Sequence, residues 1–497
     1  MKGKKSLAAI LGILTLFNTA AISAKELNLT INEDKVLKYS NPELFGMSFA
    51  LDVGYLSTNS IYLEKRTELV RDFKNFPFPL ARTVIGADGS WKAGMGSWGE
   101  RKLDLALREP FNHTAMTVCN PSNVLDWLKT IRMIDRDTEF VLGVNVTGDT
   151  YENMADLVEL CAGDPKENVN GGVNWAEERV KYVGEEEPFD IIWEIGNETD
   201  FLYDQKGFVE TGEKNYVSPS AYVEICKRSI GAIRSVDPDA KIMAHVMTNQ
   251  SDPATLNYPL LLLKEVGNEI DYFTIHTYYW DHGVVPNAEL PVVNISKQIY
   301  DMTGSDRIKF IYTEHGIRDD GRILQAFLDY SDFYNRFIIN PYMYGANLFC
   351  FEPHTSSNQW VAYYVEDGKY IPNPGMELMK MYYNNAVGDA LDFKLDGYNF
   401  HEATDVTAAV VKTETGINIF FTNYDEKEDS TTILLPENEK YKIVSKTVMT
   451  GDSLDAKNDA GIKQISTTET KYTSNMPVKS VEIPKISITM IKLEEIK

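Results

Sequence analysis

The chain has 497 residues, of which 43% are hydrophobic, and its formal net charge at pH 7 is −24. A surface this acidic repels polyanions, which excludes nucleic acid as a partner and disfavours heavily sulfated glycans, whereas neutral sugars are compatible with it. The same charge would also serve simply to keep a protein in solution. The length exceeds that of one ordinary domain, so we expect at least two.

The first 24 residues have the pattern of an export signal. Lys2, Lys4 and Lys5 precede an apolar run, Leu7 to Phe17, which is too short to cross a bilayer comfortably. Small residues follow, and Ala24 is a suitable last residue before cleavage. We therefore predict a signal peptide over residues 1–24 and a secreted or periplasmic protein that does not interact with a membrane.

Over residues 41–385, short apolar strands alternate with amphipathic helical segments, which is typical of an α/β protein of the (β/α)8 TIM-barrel class. The eight predicted strands are Leu44 to Leu51, Pro79 to Ile85, Glu139 to Val146, Phe189 to Ile195, Lys241 to Met247, Tyr272 to Tyr278, Lys309 to Thr313 and Ala346 to Phe351. The predicted helices are Ser60 to Phe73, Asn123 to Ile134, Tyr151 to Cys161, Ser220 to Val236, Ala254 to Val266, Ile295 to Thr303 and Ile323 to Ile339. A doubly wound open sheet is the alternative. It would often have a glycine-rich turn after its first strand, where this chain has Asp52-Val53-Gly54-Tyr55.

Residues 386–497 contain only strand-like patterns and predict a C-terminal β-sandwich. The strand-like runs are Val406 to Lys412, Ile417 to Asn423, Thr431 to Leu435, Tyr441 to Thr447 and Ile486 to Leu493. The N-terminal segment, residues 25–40, is also strand-like and precedes the barrel. We expect it to join the sandwich, which would bring the two ends of the mature chain together.

Two predicted barrel strands end in a glutamate. The fourth leads into Trp193-Glu194-Ile195-Gly196-Asn197-Glu198, and the seventh is Ile308-Lys309-Phe310-Ile311-Tyr312-Thr313-Glu314. Catalytic side chains of barrels lie at the carboxyl ends of the strands, and two carboxylates are the minimum for retaining glycoside hydrolysis. We predict Glu198 and Glu314 as the catalytic residues; a surface glutamate at a strand end is the alternative interpretation.

The dipeptide Asn-Glu alone is a weak signal, because it occurs four times in this chain. Gly267-Asn268-Glu269 even repeats the glycine, but it follows a predicted helix rather than a strand. The sequence also leaves the separation of the two carboxylates open. A gap of about 5–5.5 Å serves a nucleophile and an acid/base, whereas about 6.5–9.5 Å leaves room for a water molecule and inversion.

Four other side chains are expected near the glutamates. Arg82 on the second strand and Tyr278 at the end of the sixth are placed to keep Glu314 ionised. Asn197 is placed to bind the sugar hydroxyl next to the reacting carbon. His276 precedes Tyr278 by two residues and should therefore face the same side of its strand. Each has a structural alternative, such as an internal ion pair or a place in the core.

Aromatic side chains and further carboxylates complete the list of candidates. Trp91, Trp280 and Trp360 follow the second, sixth and eighth strands, where their rings could stack on sugars or serve only as packing anchors. Glu352 ends the eighth strand and is the chief rival carboxylate. Glu194 should face the barrel interior, and we expect a structural role for it.

No metal or cofactor is predicted. The histidines lack metal-binding spacing, and Cys119, Cys161, Cys226 and Cys350 are too widely spaced for a zinc knuckle. The last three cysteines lie within apolar patterns, so we expect them to be buried thiols.

The chain resembles glycoside hydrolase clan A, and within that clan it is most similar to the α-L-arabinofuranosidases of family 51. The similarity lies in Trp193 to Glu198, in Ile275-His276-Thr277-Tyr278-Tyr279, in Tyr312-Thr313-Glu314 and, more weakly, in Val144-Asn145-Val146-Thr147-Gly148-Asp149-Thr150 through Gly163. The resemblance implies a retaining mechanism with Glu198 as acid/base, Glu314 as nucleophile and no metal. It also implies that Asn145, in the loop after the third strand, contacts the substrate.

Three stretches depart from the pattern of that family. The family has a glutamate in its first-strand motif, where this chain has Gly46 to Asp52, and a Pro-Gly-Gly-Asn run after the arginine, where this chain has Thr83 to Asp88. The family nucleophile usually precedes tryptophan, whereas here His315 follows. We therefore expect a secreted retaining glycosidase of polysaccharides or oligosaccharides. The alternatives are a β-glycosidase or endo-glycanase of the same clan, or a barrel that binds carbohydrate without cleaving it.

Overall fold

The computed structural model describes residues 25–49, 62, 65–84, 91–94, 124–144, 146, 150–197, 199, 219–247, 257–279, 286–317, 322–351 and 362–496. Within these residues, eight parallel strands close into a barrel, and a nine-stranded mixed sheet packs beside it. The fold class predicted from the sequence, a TIM barrel with a C-terminal β domain, is confirmed.

Strands β2 to β9 form the barrel, whereas β1 (Lys25–Ser40) belongs to the nine-stranded sheet. The barrel strands are β2 (Gly46–Phe49), β3 (Leu80–Val84), β4 (Glu139–Val144), β5 (Ile191–Ile195), β6 (Lys241–Met247), β7 (Tyr272–Tyr279), β8 (Lys309–Ile317) and β9 (Met343–Phe349). Each strand pairs in parallel with the next, and β9 pairs with β2 to close the ring. All eight correspond to predicted strands, although their ends differ by several residues; Leu44, for example, lies in a 3-10 helix, Pro42–Phe45, that precedes β2.

Nine α-helices occur in the described part of the chain. They are α1 (Arg66–Phe73), α2 (Val124–Ile134), α3 (Tyr151–Ala162), α4 (Trp175–Val183), α5 (Pro219–Arg234), α6 (Asn257–Val266), α7 (Pro286–Thr303), α8 (Leu324–Ile339) and α9 (Pro374–Asn385). The sequence did not predict α4 and α9. In α4 the apolar stripe is thin, because only Ala176, Arg179 and Val183 are buried, although Asn174 caps its first turn by accepting from the Glu177 N–H.

Two adjacent layers of the described barrel interior differ in polarity. The lower, apolar layer contains Leu80, Val141, Ile192, Met243 and Ile311, with Tyr272 and Tyr344 packed against it. Side chains two residues apart on a strand face the same side. The next interior layer along these strands therefore contains Arg82, Gly143, Glu194, His245, Thr274 and Thr313. This alternation places a polar layer on an apolar floor, toward the carboxyl ends of the strands.

The mixed sheet contains β1 and eight strands from the C-terminal part of the chain. These are β12 (Gly388–Leu395), β13 (Val406–Thr413), β14 (Gly416–Asn423), β15 (Ser430–Leu434), β16 (Tyr441–Gly451), β19 (Ile465–Lys471), β20 (Ser480–Pro484) and β21 (Ser487–Glu495). Short hairpins supply β10 (Tyr363–Glu366) with β11 (Lys369–Pro372), and β17 (Asn458–Asp459) with β18 (Ile462–Lys463).

The strand order in the sheet is β19-β16-β21-β14-β13-β12-β1-β15-β20. Most of β1 pairs antiparallel with β12, and its first four residues pair parallel with β15, so the N-terminal segment lies in the sheet as expected. Ile433 and Ile483 from one end of this order share a core with Val410 and Ile419 from the middle. The sheet therefore folds over itself in the manner of a sandwich.

Helix α8 joins the barrel to the sheet. It is buried from Leu324 to Ile338 on all sides, as expected of a helix inside a core. Ser331 Oγ lies 2.6 Å from Thr422 Oγ1, and Asn335 Nδ2 donates to Thr407 Oγ1 at 3.2 Å. Because α8 connects β8 to β9, the sheet supports the barrel wall that carries Glu314.

Cys161, Cys226 and Cys350 are buried, as predicted, whereas Cys119 lies outside the described residues. Among the helices that the structure describes, none is long and apolar enough to cross a membrane.

Candidate active site

Arg82 lies at the centre of the polar layer and is 1% exposed. Its Nε donates to Glu194 Oε2 at 2.8 Å and its Nη2 to Glu194 Oε1 at 3.1 Å, which makes a two-point ion pair. Its Nη1 donates to Glu314 Oε1, and Nη2 also donates to Asn197 Oδ1 at 2.5 Å. One guanidinium group therefore connects β3 to β8 and to both the strand and the turn of β5.

The charges in this cluster determine how its buried members ionise. Burial disfavours the charge on Arg82, but the Glu194 and Glu314 carboxylates outweigh it and raise the pKa of Arg82. Burial also opposes ionisation of Glu194, yet the charge of Arg82 and the nearby His276, whose Nε2 lies 3.9 Å from Glu194 Oε1, lower the pKa of Glu194 to about 2. Glu194 is therefore an anion at neutral pH, and Arg82 stands between two carboxylate side chains.

Glu194 is held from several directions. Thr313 Oγ1 donates to Glu194 Oε1 at 3.0 Å, in addition to the two bonds from Arg82. The neighbouring strand leaves room for the carboxylate, because a Cβ atom at Gly143 would lie 3.3 Å from Glu194 Oε2. Glu194 faces the interior as predicted, and its contacts with Arg82 make it part of the polar cluster around Glu314.

A β-bulge in β8 directs Glu314 into the barrel. Thr274 on β7 pairs with Ile311, and His276 pairs with Glu314, so β8 has one more residue than β7 between these points. The pairing of β8 with β9 shifts at the same place. Thr313 and Glu314 therefore both reach the interior, although strict alternation would send successive side chains to opposite faces.

Glu314 is contacted through both of its carboxylate oxygens. Glu314 Oε1 accepts from Arg82, and Oε2 accepts from the hydroxyl of Tyr278. His276 Nδ1 lies 3.6 Å from Glu314 Oε2, while His276 Nε2 lies 2.8 Å from Thr313 Oγ1. The Glu314 side chain keeps 10% exposure and that of Glu194 keeps none, so only Glu314 of the two carboxylates is accessible to a substrate.

A left-handed glycine ends β5 and turns Asn197 toward Arg82. Gly196 has a φ angle of +81°, which side chains with a Cβ rarely adopt. A Cβ atom there would also lie 2.5 Å from Thr199 Cγ2 and 3.1 Å from Val146 Cγ2. Backbone angle and space both require glycine at the residue that precedes Asn197-Glu198.

We expect Gly196→Ala to lower the free energy of unfolding by about 2–5 kcal/mol, from left-handed strain together with overpacking. It should also lower kcat/KM, because the turn that places Asn197 must shift. The matched control is Gly184→Ala, since Gly184 has a φ angle of +88° but nothing within 4 Å of its added Cβ. That variant should lose only about 1–2 kcal/mol and keep its activity. Equal losses of activity in the two variants would show that the turn at Gly196 does not position the site.

His315, next to Glu314, points away from the site. Its ring packs against Phe333 and Phe337 of α8, with ring centroids 5.2 and 5.5 Å away. Neither ring nitrogen has a hydrogen-bond partner among the described residues, and burial lowers the pKa of His315 to about 3. The histidine that replaces the usual tryptophan is therefore a neutral core residue.

This burial makes stability depend on pH. The unfolded chain binds a proton at His315 below about pH 6.5 and the folded chain does not until about pH 3, so acid favours unfolding over that range. At pH 5 the loss relative to pH 8 should be about 2 kcal/mol. Chemical denaturation of the wild type and His315→Phe at several pH values tests this. The variant should lack the part of the decrease in unfolding free energy at low pH that protonation of His315 causes. His401→Gln, which changes an exposed histidine, is the control. An unchanged difference between pH 5 and pH 8 in His315→Phe would contradict the interpretation.

The structure brings together Arg82, Asn197, His276 and Tyr278 around Glu314. Glu198, Asn145, Trp280, Trp360 and Glu352 lie outside the described residues. The sequence missed the hydroxyl of Thr313 as part of this cluster. The alternation along β8 from Ile311 could have identified it, since Thr313 is two residues further on.

Trp91 has the contacts of a packing anchor and not of a sugar platform. It is 7% exposed, its Nε1 donates to the Asn153 carbonyl at 2.9 Å, and its ring meets Trp175 edge-on at 5.0 Å. The prediction that its face stacks on a sugar is therefore replaced by the structural alternative. The helix α4, which the sequence did not predict, supplies Trp175 and explains the difference.

Glu194, His245 and His276 present potential metal ligands within 4.8 Å of one another. Glu194 already pairs with the Arg82 guanidinium and accepts from Thr313, and His276 contacts Thr313 as well. The positively charged Arg82 guanidinium therefore already lies beside the Glu194 carboxylate, where a metal ion would bind. We assign no metal to it.

No protein-family model matches the chain. An intracellular exo-α-(1→5)-L-arabinofuranosidase from Bacillus subtilis is 26% identical over 193 residues, which cover 38% of this chain and 34% of that protein. The matches with curated relatives span about a third to a half of the length of those proteins.

Solved structures of arabinofuranosidases match nearly the whole fold, and two of them serve as examples. The α-L-arabinofuranosidase from Thermotoga maritima, in complex with arabinose, has a TM-score of 0.74 and 17% identity, and the match covers 94% of this chain and 100% of that one. The family 51 arabinofuranosidase from Xanthomonas axonopodis pv. citri has a TM-score of 0.75 and 16% identity, with the same coverage of both chains. The resemblance predicted from the sequence motifs is thus confirmed as a remote one: this chain is similar to the family 51 α-L-arabinofuranosidases and shares their barrel and sheet.

Proposed function

We propose that this chain is a retaining glycoside hydrolase in which Glu314 is the nucleophile and Glu198 the acid/base. The observation that carries the proposal is the placement of Glu314 at the carboxyl end of the barrel, with Arg82 on one carboxylate oxygen and Tyr278 on the other. The two donors hold the carboxylate in a fixed orientation, which an attacking group requires. Its partial exposure gives a substrate access to it.

The reaction has two steps that divide the work between the two glutamates. In the first, a Glu314 oxygen attacks the anomeric carbon while Glu198 gives its proton to the departing glycosidic oxygen. In the second, Glu198 takes a proton from water, the water oxygen attacks the same carbon, and the bond to Glu314 breaks. Two displacements leave the product with the configuration of the substrate.

The position of Asn197 supports the assignment of its neighbour Glu198. Asn197 and Glu314 both accept hydrogen bonds from the Arg82 guanidinium. The residue immediately before Glu198 is therefore separated from the proposed nucleophile only by the Arg82 side chain. Because the Asn197 oxygen faces Arg82, its amide nitrogen faces away from it, as expected of a donor to a sugar hydroxyl.

We propose an α-L-arabinofuranoside as the substrate class. The support is the similarity to α-L-arabinofuranosidases in both sequence and fold. A β-glycosidase or endo-glycanase of the same clan is the alternative, because the departures around Gly46 to Asp52 and Thr83 to Asp88 fall at positions where the family contacts its substrate. Neutral sugars also suit the formal net charge of −24.

A panel of aryl glycosides tests the reaction and the sugar together. We expect release of the aryl group from at least one glycoside, with 4-nitrophenyl α-L-arabinofuranoside as the first choice. A barrel that binds sugars without catalysis would bind members of the panel and cleave none. Cleavage of β-linked pyranosides alone would favour the alternative substrate class.

The variant Glu198→Ala tests the acid/base. Substrates with poor leaving groups should lose about 10²–10⁴-fold in kcat/KM, because departure of their oxygen needs the proton. Substrates with good leaving groups should lose far less. The matched control is Glu269→Ala, since Gly267-Asn268-Glu269 repeats the local sequence but Glu269 is exposed and pairs with Arg234. Equal losses for good and poor leaving groups would show that Glu198 is not the acid.

We also propose that the protein is exported, on the pattern of residues 1–24. The curated relatives are named as intracellular enzymes, which describes those proteins. Cell fractionation with N-terminal sequencing provides the test. Export predicts a mature chain beginning near Lys25 outside the cytoplasm; an intact N-terminus in the cytoplasm would contradict it.

A further inference from the structure

We propose that Glu194 keeps Arg82 electrically paired while Glu314 carries the sugar, and is thereby a positioning residue for formation of the covalent intermediate. This inference rests on the proposed function, because it requires Glu314 to be the nucleophile. It goes beyond the role of Arg82 as a donor to Glu314, since it assigns a task to a carboxylate that a substrate does not reach.

The geometry makes Glu194 the permanent partner of Arg82. Two of the guanidinium hydrogen bonds go to Glu194, at 2.8 and 3.1 Å, and one goes to Glu314. The Arg82 and Glu194 side chains are 1% and 0% exposed, so water cannot replace either partner. Thr313 donates a hydrogen bond to the Glu194 carboxylate, and the absence of a side chain at Gly143 leaves room for it.

The charge on the cluster changes during the proposed reaction. Before attack, Arg82 is paired with both the Glu194 and the Glu314 carboxylates. Attack converts an electron pair of Glu314 into the bond to the anomeric carbon, and the resulting ester is neutral. Arg82 then has Glu194 as its only anionic partner among the described residues.

Removing the charge of Glu194 therefore affects the two states differently. In Glu194→Gln before attack, Arg82 still has the Glu314 carboxylate as its partner. Once Glu314 is esterified, the same guanidinium becomes a buried cation without an anion, which is strongly unfavourable. The Glu194→Gln change therefore raises the free-energy barrier to formation of the intermediate. Breakdown restores the Glu314 charge, so the change does not raise the barrier to that step. A purely structural role of Glu194 would slow both steps.

The experiment separates the two steps by using the Glu198→Ala background. Loss of the general base slows breakdown there, so the adduct on Glu314 persists long enough to be followed by intact-protein mass spectrometry. The substrate is the 2,4-dinitrophenyl glycoside of the sugar that the aryl panel identifies, because its good leaving group needs no acid. Formation is measured after mixing, and breakdown is measured after the substrate is removed.

We expect Glu194→Gln to slow formation about 100-fold or more, and to leave the rate of breakdown unchanged or increase it. The matched control is Glu139→Gln, which alters another buried carboxylate of the barrel, one paired with Lys241 and Tyr344 at the opposite end of the strands. It should change neither step. Equal slowing of both steps by Glu194→Gln, or no change in formation, would overturn the inference.

A second comparison covers the case in which Glu194→Gln does not fold. Arg82→Met and Arg82→Met/Glu194→Gln are compared in the same background. Without the guanidinium there is no cation to balance, so the added glutamine should not slow formation further. A further tenfold loss would overturn the inference. Hydrolysis without any adduct on Glu314, in every protein tested, would instead show that the proposed function has the wrong nucleophile.

Discussion

Glu314→Ala should lose hydrolysis almost completely, with a decrease in kcat/KM on the order of 10⁴-fold or more. The variant lacks the atom that attacks the anomeric carbon, and neither Tyr278 nor Arg82 can replace it. Sodium azide should restore part of the rate, because the anion fits the vacated space beside Arg82 and attacks from the same face. Its glycosyl azide product should have the inverted configuration, since only one displacement then occurs.

The control for that experiment is Glu314→Gln, which removes the charge but fills the same space. It should be inactive, and azide should restore little of its rate. Both proteins should keep the fold, which circular dichroism and thermal unfolding can check. Near wild-type hydrolysis by Glu314→Ala on a natural glycan would mean that another carboxylate is the nucleophile, with Glu352 as the first to examine.

Arg82→Met should reduce both stability and activity. It leaves Glu194 and Glu314 as two carboxylates without their shared cation, and breaking a buried ion pair from one side costs about 3–5 kcal/mol. The unfolding free energy from urea denaturation should fall by about that amount. We also expect kcat/KM to fall by about 100-fold or more, because Glu314 loses the donor on Oε1. Arg82→Lys should not restore the activity, since an ammonium group cannot make the same set of directed bonds.

The double variant Arg82→Met/Glu194→Met separates the loss of stability from the loss of activity. It removes the buried pair as a whole, so much of the stability should return while the activity does not. A stable and active Arg82→Met would contradict the central place of the guanidinium. Activity that returns together with stability in the double variant would show that Arg82 acts only through the fold.

The sequence predicted the barrel well, because its strands are short apolar runs separated by amphipathic helices. The predicted strand Lys241 to Met247 has the same ends as β6, and Glu139 to Val146 overlaps β4 fully. Alternation also predicted that Glu194 faces the interior. These features depend on local patterns that a single strand or helix reveals.

What the sequence could not predict depends on contacts between distant segments. Strict alternation from Thr313 would turn Glu314 out of the barrel, and only the bulge in β8 brings both inside. A one-residue insertion relative to β7 and β9 leaves no mark in the sequence of β8 itself. Trp91 is a second case, since its burial depends on Trp175 in a helix whose apolar stripe was too thin to recognise.

Proton NMR of the first-formed sugar, recorded during hydrolysis of an aryl glycoside before mutarotation, tests the paired glutamates most directly. Two displacements through Glu314 predict a product with the same anomeric configuration as the substrate. A first-formed product of inverted configuration would mean a single displacement by water, and would contradict the assignment of Glu314 as a nucleophile.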